Sequence, residues 1–234
     1  MKLSIIIPVY NEIKTIKKLI FKVVNQQIKD IQIIVVDDFS TDGTREVIKN
    51  DLSQFINKII YHEKNMGKGA AIRSAQKFVS GDIVIIQDAD LEYDPEDYKK
   101  LIDPIINKRT SVVYGSRVLN TKRYNSKNFI SLHRIFFNHI LTIFSNFVNR
   151  QNLTDAHTCY KVFDSKIFKN IKLSENDFAF CPEITSKISK LKLNIIEIGI
   201  SYTGRSVEEG KKIGIIDGFR AILVLLKYGL LGIK

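Results

Sequence analysis

Three features of the sequence predict an α/β fold, a mostly parallel sheet flanked by helices. Short apolar runs alternate with segments of helical period through the first half of the chain. Such β-α-β-α alternation implies crossover connections and parallel strands. In addition, Asp37-Asp38, Asp88-Ala89-Asp90 and Gly115-Ser116-Arg117 each close an apolar run. In sheets of this kind ligands sit outside the carboxyl ends of the strands, so the three clusters converge on one candidate site.

The elements follow in order. Residues 3–7, Leu-Ser-Ile-Ile-Ile, read as a buried strand that runs into Pro8-Val9-Tyr10-Asn11-Glu12. Residues 12–25 predict a helix with Ile13, Ile16, Ile20 and Val23 or Val24 on one face. Residues 31–36 form the next strand. A short helix at 42–49 is capped by Thr41 or Asp42. Strands at 58–61 and 83–87 flank a helix at about 70–79. Asp94-Pro95 opens another helix with proline in its first turn, and residues 112–115 make the fifth strand. After Arg117 the pattern changes. Residues 121–128 are polar and basic and predict a mobile loop. Residues 129–148 form an amphipathic helix, apolar at Phe129, Leu132, Phe136, Ile140, Ile143 and Phe147. A strand near 158–163, a helix around 182–191, a strand at 194–198, a charged glycine-containing loop at 202–212 and a final helix at about 213–231 complete the chain. With no repeat and no linker, the expectation is a single domain over 1–234. Residues 1–117 would bind the nucleotide and 118–234 would form the acceptor side.

Lys plus Arg number 36 against 25 Asp plus Glu, a net charge of +11. The excess suits anionic partners: nucleotides, phosphates, anionic lipid or nucleic acid. No nucleic-acid motif is present, and acidic strand ends would repel a phosphate backbone, which argues against nucleic acid. Two cysteines, Cys159 and Cys181, build no disulfide framework and fit a reducing cytoplasm. No run of about 18 apolar residues occurs, so any membrane association is expected to be peripheral.

Asp88 and Asp90 stand one residue apart after a buried strand, where both can reach one hard cation; an acidic turn is the alternative reading. Asp37 and Asp38 at the end of the second strand suit a base N–H or ribose hydroxyls, or serve turn and cap chemistry. Asn65-Met66-Gly67-Lys68-Gly69 opens a helix. It presents N–H groups to an anion or makes a tight turn, and it matches neither a P-loop nor a three-glycine dinucleotide motif. Arg117, Arg205, Lys211 and Lys212 are cations on loops that suit phosphate or solvent. His157 shows no metal-ligand spacing.

These motifs, in this order and spacing, resemble family 2 glycosyltransferases of the GT-A fold, and most nearly the dolichyl- or polyprenyl-phosphate hexose synthases. Cys159-Tyr160-Lys161-Val162-Phe163, Pro182-Glu183-Ile184 and Ile200-Ser201-Tyr202 fit the same branch. The resemblance implies that Pro8, Tyr10, Glu12, Val36 and Asp38 line a nucleoside pocket. Asp88, Ala89 and Asp90 would form the metal and diphosphate centre, and Arg117, Arg205 and Lys211 would contact donor or acceptor phosphates. Glu92 stands where many lipid-phosphate mannose synthases carry Gln; it is an added carboxylate for the metal shell or for sugar choice.

The implied activity is inverting transfer of a hexose from a UDP- or GDP-sugar to a lipid phosphate, with Mg²⁺ or Mn²⁺. A polysaccharide hydroxyl acceptor and a non-catalytic nucleotide- or nucleic-acid-binding module are the alternatives. A hydroxyl acceptor would need a base, for which Asp155 and Glu183 are the candidates. The 129–148 helix fits the inner face of a membrane, burial against the sheet, or a homo-oligomer seam.

Overall fold

A computed structural model of the chain describes residues 1–119, 129–205 and 215–231. Lys211 and the segment 121–128, expected to be a basic loop, lie outside these residues. Seven strands form one sheet: β1 (Leu3–Val9), β2 (Ile31–Asp37), β3 (Lys58–Tyr61), β4 (Ile83–Ile86), β5 (Val112–Ser116), β6 (Lys161–Asp164) and β7 (Ile195–Gly199). Their order is β3-β2-β1-β4-β6-β5-β7. The described helices are α1 (Ile16–Val24), α2 (Thr44–Val47), α3 (Lys68–Gln76), α4 (Tyr98–Ile106), α5 (Phe129–Asn149), α6 (Ser165–Asn170), α7 (Phe180–Lys190) and α8 (Ile215–Val224). α8 continues in wider turns over Leu225–Leu230.

The central strands are apolar without alternation, apart from the buried and mutually hydrogen-bonded Ser4 and Gln32, because helices cover both faces of the sheet. Leu3, Ile5, Ile6, Ile7, Ile34, Val35, Val36, Val84, Ile85 and Ile86 are fully buried. α1 buries Ile16, Leu19, Ile20 and Val23 at helical spacing. It begins four residues later than expected, leaving Ile13 exposed and Glu12 in a non-helical turn. The helix expected at 42–49 is one turn of α2 followed by wider turns. Its N-cap is Gly43, neither Thr41 nor Asp42; Asp42, one residue before the cap, makes a turn by accepting from the Thr44 N–H at 3.0 Å.

The strand expected near 158–163 is shorter and begins at Lys161. It is also antiparallel to both neighbours, β4 and β5, while every other pairing is parallel. This reversal matters for the site. The start of β6 lies beside the carboxyl ends of β4 and β5, so residues 154–160 arrive at the same edge as Asp88 and Arg117. Since β6 and β7 belong to the same sheet as β1–β5, the two halves of the chain share one core.

Candidate active site

Three strand ends carry non-glycine residues in the left-handed region: Asn11 (φ 52) after β1, Phe39 (φ 68) after β2 and Leu91 (φ 62) after β4. Such conformations cost about 1–3 kcal/mol for a bulky residue and cluster at functional sites. The Leu91 turn brings the Glu92 N–H back to Asp90 Oδ1 at 3.0 Å. Gln87 anchors the turn from below. Its Nε2 donates to the Asp88 carbonyl at 2.9 Å, and its Oε1 accepts from the Tyr98 and Tyr160 hydroxyls, each at 2.7 Å.

Lys68, the first residue of α3, reaches Asp88 Oδ1 at 2.5 Å. Burial opposes its charge, but contact with Asp88 more than offsets this and holds the ammonium pKa well above normal. The Cys159 thiol, pushed up by burial and then by Asp88, stays protonated and donates to the Ile86 carbonyl at 3.7 Å. Arg205 arrives from the loop after β7. Its guanidinium pairs with both oxygens of Glu12 at 2.9 and 3.0 Å and lies 3.2 Å from Asp90 Oδ2. Glu92 turns away from the aspartates: its Oε2 accepts from the Tyr202 hydroxyl and its Oε1 from the Arg205 N–H, both at 2.8 Å. The three-carboxylate shell expected of Asp88, Asp90 and Glu92 is therefore not assembled. Among the described residues no three such side chains gather around one point.

The donor set nevertheless fits a divalent cation. Among the described residues of this cluster, Asp88, Asp90, Glu92 and Glu12 face Lys68 and Arg205. Asp90 records the crowding of carboxylates. Burial first, then the charges of Asp88 and Glu92, raise its carboxyl to about 7. A hard cation with oxygen ligands would relieve that crowding.

The expected nucleoside residues divide. Pro8 and Tyr10 are half-buried at the carboxyl end of β1, and Glu12 just beyond them is buried. Val36 is buried and pairs with Pro8 in the sheet. Asp38 accepts from the Met66 and Gly67 N–H groups at 2.9 and 2.7 Å, with His62 Nδ1 at 2.7 Å. Asp37 takes Arg45 Nε at 2.7 Å. Both aspartates brace the strand end and the glycine-rich turn.

On the other side Arg117 is locked by Asp155. Its Nε donates to Oδ2 at 2.7 Å, one terminal nitrogen donates to Oδ1 at 2.8 Å, and its backbone N–H adds a third bond. Its guanidinium lies 5.2 Å from the centre of the Tyr202 ring. Asp155 is itself placed by Glu197 of β7, which accepts from the Thr154 and Asp155 N–H groups. Lys161, fully buried, donates to the carbonyls of Ala156 and Thr158 and stabilises the same loop. Neither expected base is left over. Asp155 holds Arg117, and Glu183 accepts from the Ser174 and Glu175 N–H groups and from Lys187. Sequence reasoning named Lys68, Lys161 and Tyr202 only inside longer motifs and gave none of them a role at the site.

Residues 4–172 match the family model described as glycosyl transferase family 2. The chain belongs to glycosyltransferase family 2. The transferase is 31% identical over 247 residues to UDP-N-acetylglucosamine–dolichyl-phosphate N-acetylglucosaminyltransferase of Methanococcus voltae, covering 96% of each chain. It is 30% identical over 239 residues to dolichol-phosphate mannosyltransferase of Pyrococcus furiosus, covering 97% of this chain and 64% of that one. Among solved structures it superposes on glucosyl-3-phosphoglycerate synthase of Mycobacterium tuberculosis, in complex with Mn²⁺, UDP and glucosyl-3-phosphoglycerate. The TM-score is 0.71 at 16% identity, covering 100% of this chain and 81% of that one, which establishes a common fold.

One group near the transferase site has a measurable pH signature. His157 is partly buried, and its Nε2 is sealed from solvent without a hydrogen-bond partner among the described residues. Burial first, then the Lys161 ammonium, lowers its pKa from 6.5 to about 4. A histidine depressed in the folded state favours folding fully above the unfolded pKa. As pH falls below that value the unfolded chain takes up the proton first, and about 3 kcal/mol of stability is lost by pH 4. In urea unfolding at pH 7 and pH 4.5, His157→Gln is expected to lose less stability between the two conditions than wild type. Equal losses would show that the imidazole is not held neutral.

Proposed function

We propose that this glycosyltransferase moves a hexose from a nucleotide-sugar to a polyprenyl- or dolichyl-phosphate at the cytoplasmic face of a membrane, with inversion at the anomeric carbon. The outward-facing apolar stripe of α5 carries this reading. That helix is inside out. Thr142, Ser145 and Asn149 face the protein and are buried, while Phe136, Phe137, Ile140, Ile143 and Phe147 are exposed, Phe147 by 78%. Phe219 and Leu223 of α8, which packs on α5, extend the apolar exposure. A face of this kind belongs against lipid or another apolar surface. No described helix is long and apolar enough to cross a membrane. The relatives named above for dolichyl and dolichol phosphate support the acceptor class.

The engaged carboxylates support it too. A phosphomonoester, with a second pKa of about 6, is already a nucleophile at neutral pH and needs no base. A hydroxyl acceptor needs one, and the two candidates hold other partners. In this reading Pro8, Tyr10 and Glu12 hold the nucleoside, and Arg117 meets the acceptor phosphate. Arg205 exchanges its carboxylates for donor phosphate. Asp90, with Asp88 beside it, would hold Mg²⁺ or Mn²⁺, which when bound supplies positive charge to the departing diphosphate.

Incubation with radiolabelled UDP- and GDP-sugars and polyprenyl phosphate tests the reading: label is expected in the organic phase. Label entering only water-soluble saccharide would favour the hydroxyl acceptor. Co-sedimentation with vesicles containing anionic lipid tests the surface. Binding is expected to weaken with salt and with Phe136→Asp while the circular dichroism spectrum is retained. Absence of vesicle binding, with a dimer broken by the same substitution, would assign the stripe to an oligomer seam.

A further inference from the structure

Tyr202 stands between the two halves of the site. On one side its hydroxyl donates to Glu92 Oε2 at 2.8 Å, and the Glu92 N–H donates in turn to Asp90 Oδ1 at 3.0 Å. On the other side its ring centre lies 5.2 Å from the guanidinium of Arg117, which Asp155 holds by the fork. The backbone fixes the ring between them. After β7 the chain is strapped to the segment that follows β4. The Ser201 N–H donates to Asp97 Oδ2 at 2.6 Å, the Thr203 N–H to the Glu92 carbonyl at 2.9 Å and the Arg205 N–H to Glu92 Oε1 at 2.8 Å. Tyr202 also pairs with Tyr93 in an antiparallel bridge, and the two rings meet edge to face with centroids 5.2 Å apart. Tyr93 is buried, and its hydroxyl accepts from the Cys159 N–H at 3.0 Å, on the stretch of chain that also carries Asp155. A tyrosine suits this place because its two ends act independently: a ring face attracts a cation, and a hydroxyl donates to a carboxylate.

We propose that Tyr202 is a positioning residue that couples the donor and acceptor sides of the site: its hydroxyl sets Glu92, and through it the Asp90 turn, while its ring sets the guanidinium of Arg117. The inference rests on the reading given above, with Asp90 and Arg205 toward the donor diphosphate and Arg117 toward the acceptor phosphate. Glu92 follows β4 and Arg117 follows β5, so their separation is set by tertiary contact. Tyr202, arriving after β7, touches both.

Two substitutions separate the contacts. Tyr202→Phe keeps the ring and removes the hydroxyl, whereas Tyr202→Leu removes both. The full chain is followed by thermal melts, by calorimetry with UDP or GDP in the presence of Mn²⁺, and by transfer kinetics with polyprenyl phosphate. The Phe variant is expected to bind the nucleoside diphosphate about threefold to tenfold more weakly, because Glu92 loses a donor. Its KM for polyprenyl phosphate is expected to stay at the wild-type value. The Leu variant is expected to show the same donor loss and, in addition, a KM for polyprenyl phosphate raised about tenfold by removal of the ring beneath Arg117. Tyr202→Met replaces the leucine variant if the latter does not fold. A role confined to stability would lower both melting temperatures and leave donor affinity and acceptor KM unchanged, and that result overturns the inference. So does a Phe variant with wild-type donor affinity, or an acceptor KM that is the same in the two variants. A wild-type protein that binds neither nucleotide, or transfers no sugar to polyprenyl phosphate, overturns the proposed function and this inference together.

Discussion

Asp90→Asn is expected to keep the fold and to lower turnover by roughly 10²–10³-fold, the range seen when one preorganised electrostatic partner of a transition state is removed. Asn is isosteric with Asp, so packing around the Leu91 turn survives. The lost quantity is the one carboxylate charge at the end of β4 that Lys68 does not engage. Turnover of the nucleotide-sugar with polyprenyl phosphate and excess Mn²⁺ measures it, and activity near wild type would remove Asp90 from the reaction. Stability should move the other way. An acid whose carboxyl is raised to about 7 by burial and by Asp88 and Glu92 makes the folded state bind its proton more tightly than the unfolded chain does. The metal-free protein therefore loses stability as pH climbs from about 4 to about 7, and the Asn variant lacks that loss. His157 acts over the same window with the opposite sign, so the difference between variant and wild type, not the wild-type curve, isolates each group.

The second large effect belongs to the Arg117–Asp155 pair. Asp155→Asn leaves a half-buried guanidinium facing an amide, and because Asp155 itself is buried the cost approaches the roughly 3–5 kcal/mol of breaking a fully buried pair. The melting temperature should fall accordingly, and acceptor-dependent turnover should fall with it as Arg117 loses its fixed orientation. Arg117→Lys is the gentler probe. It keeps the charge but cannot reproduce the fork that meets both Asp155 oxygens. Its acceptor kinetics should worsen while the affinity for nucleoside diphosphate and Mn²⁺, read by calorimetry, stays at the wild-type level. A collapse of donor affinity with unchanged acceptor kinetics would move Arg117 to the donor side.

Much of this architecture was legible in the order of residues. β1, β2 and β4 announce themselves because strands covered on both faces are almost continuously apolar, and the carboxylates that close β2 and β4 mark the sheet edge where a ligand can bind. The Asp42 turn that leads into α2 and the amphipathic period of α5 are equally local, each set by interactions within a few residues. What lies beyond was decided by the tertiary structure. A run such as Lys161–Asp164 carries no information about strand direction, yet its antiparallel insertion between β4 and β5 is what delivers Asp155 and Cys159 to the site. The stripe on α5 is visible in the sequence, but only the packing of Thr142, Ser145 and Asn149 inward shows that the apolar side faces out. Charge pairing is the least local of all. Lys68 meets Asp88, and Arg205 meets Glu12 across 193 residues, because the sheet brings its strand ends together. The same pairing engages Glu92, Asp155 and Glu183, which by sequence alone were candidates for metal or base. A carboxylate's chemistry depends on which donors the fold places within about 3 Å of it, a distance that spacing along the chain does not encode.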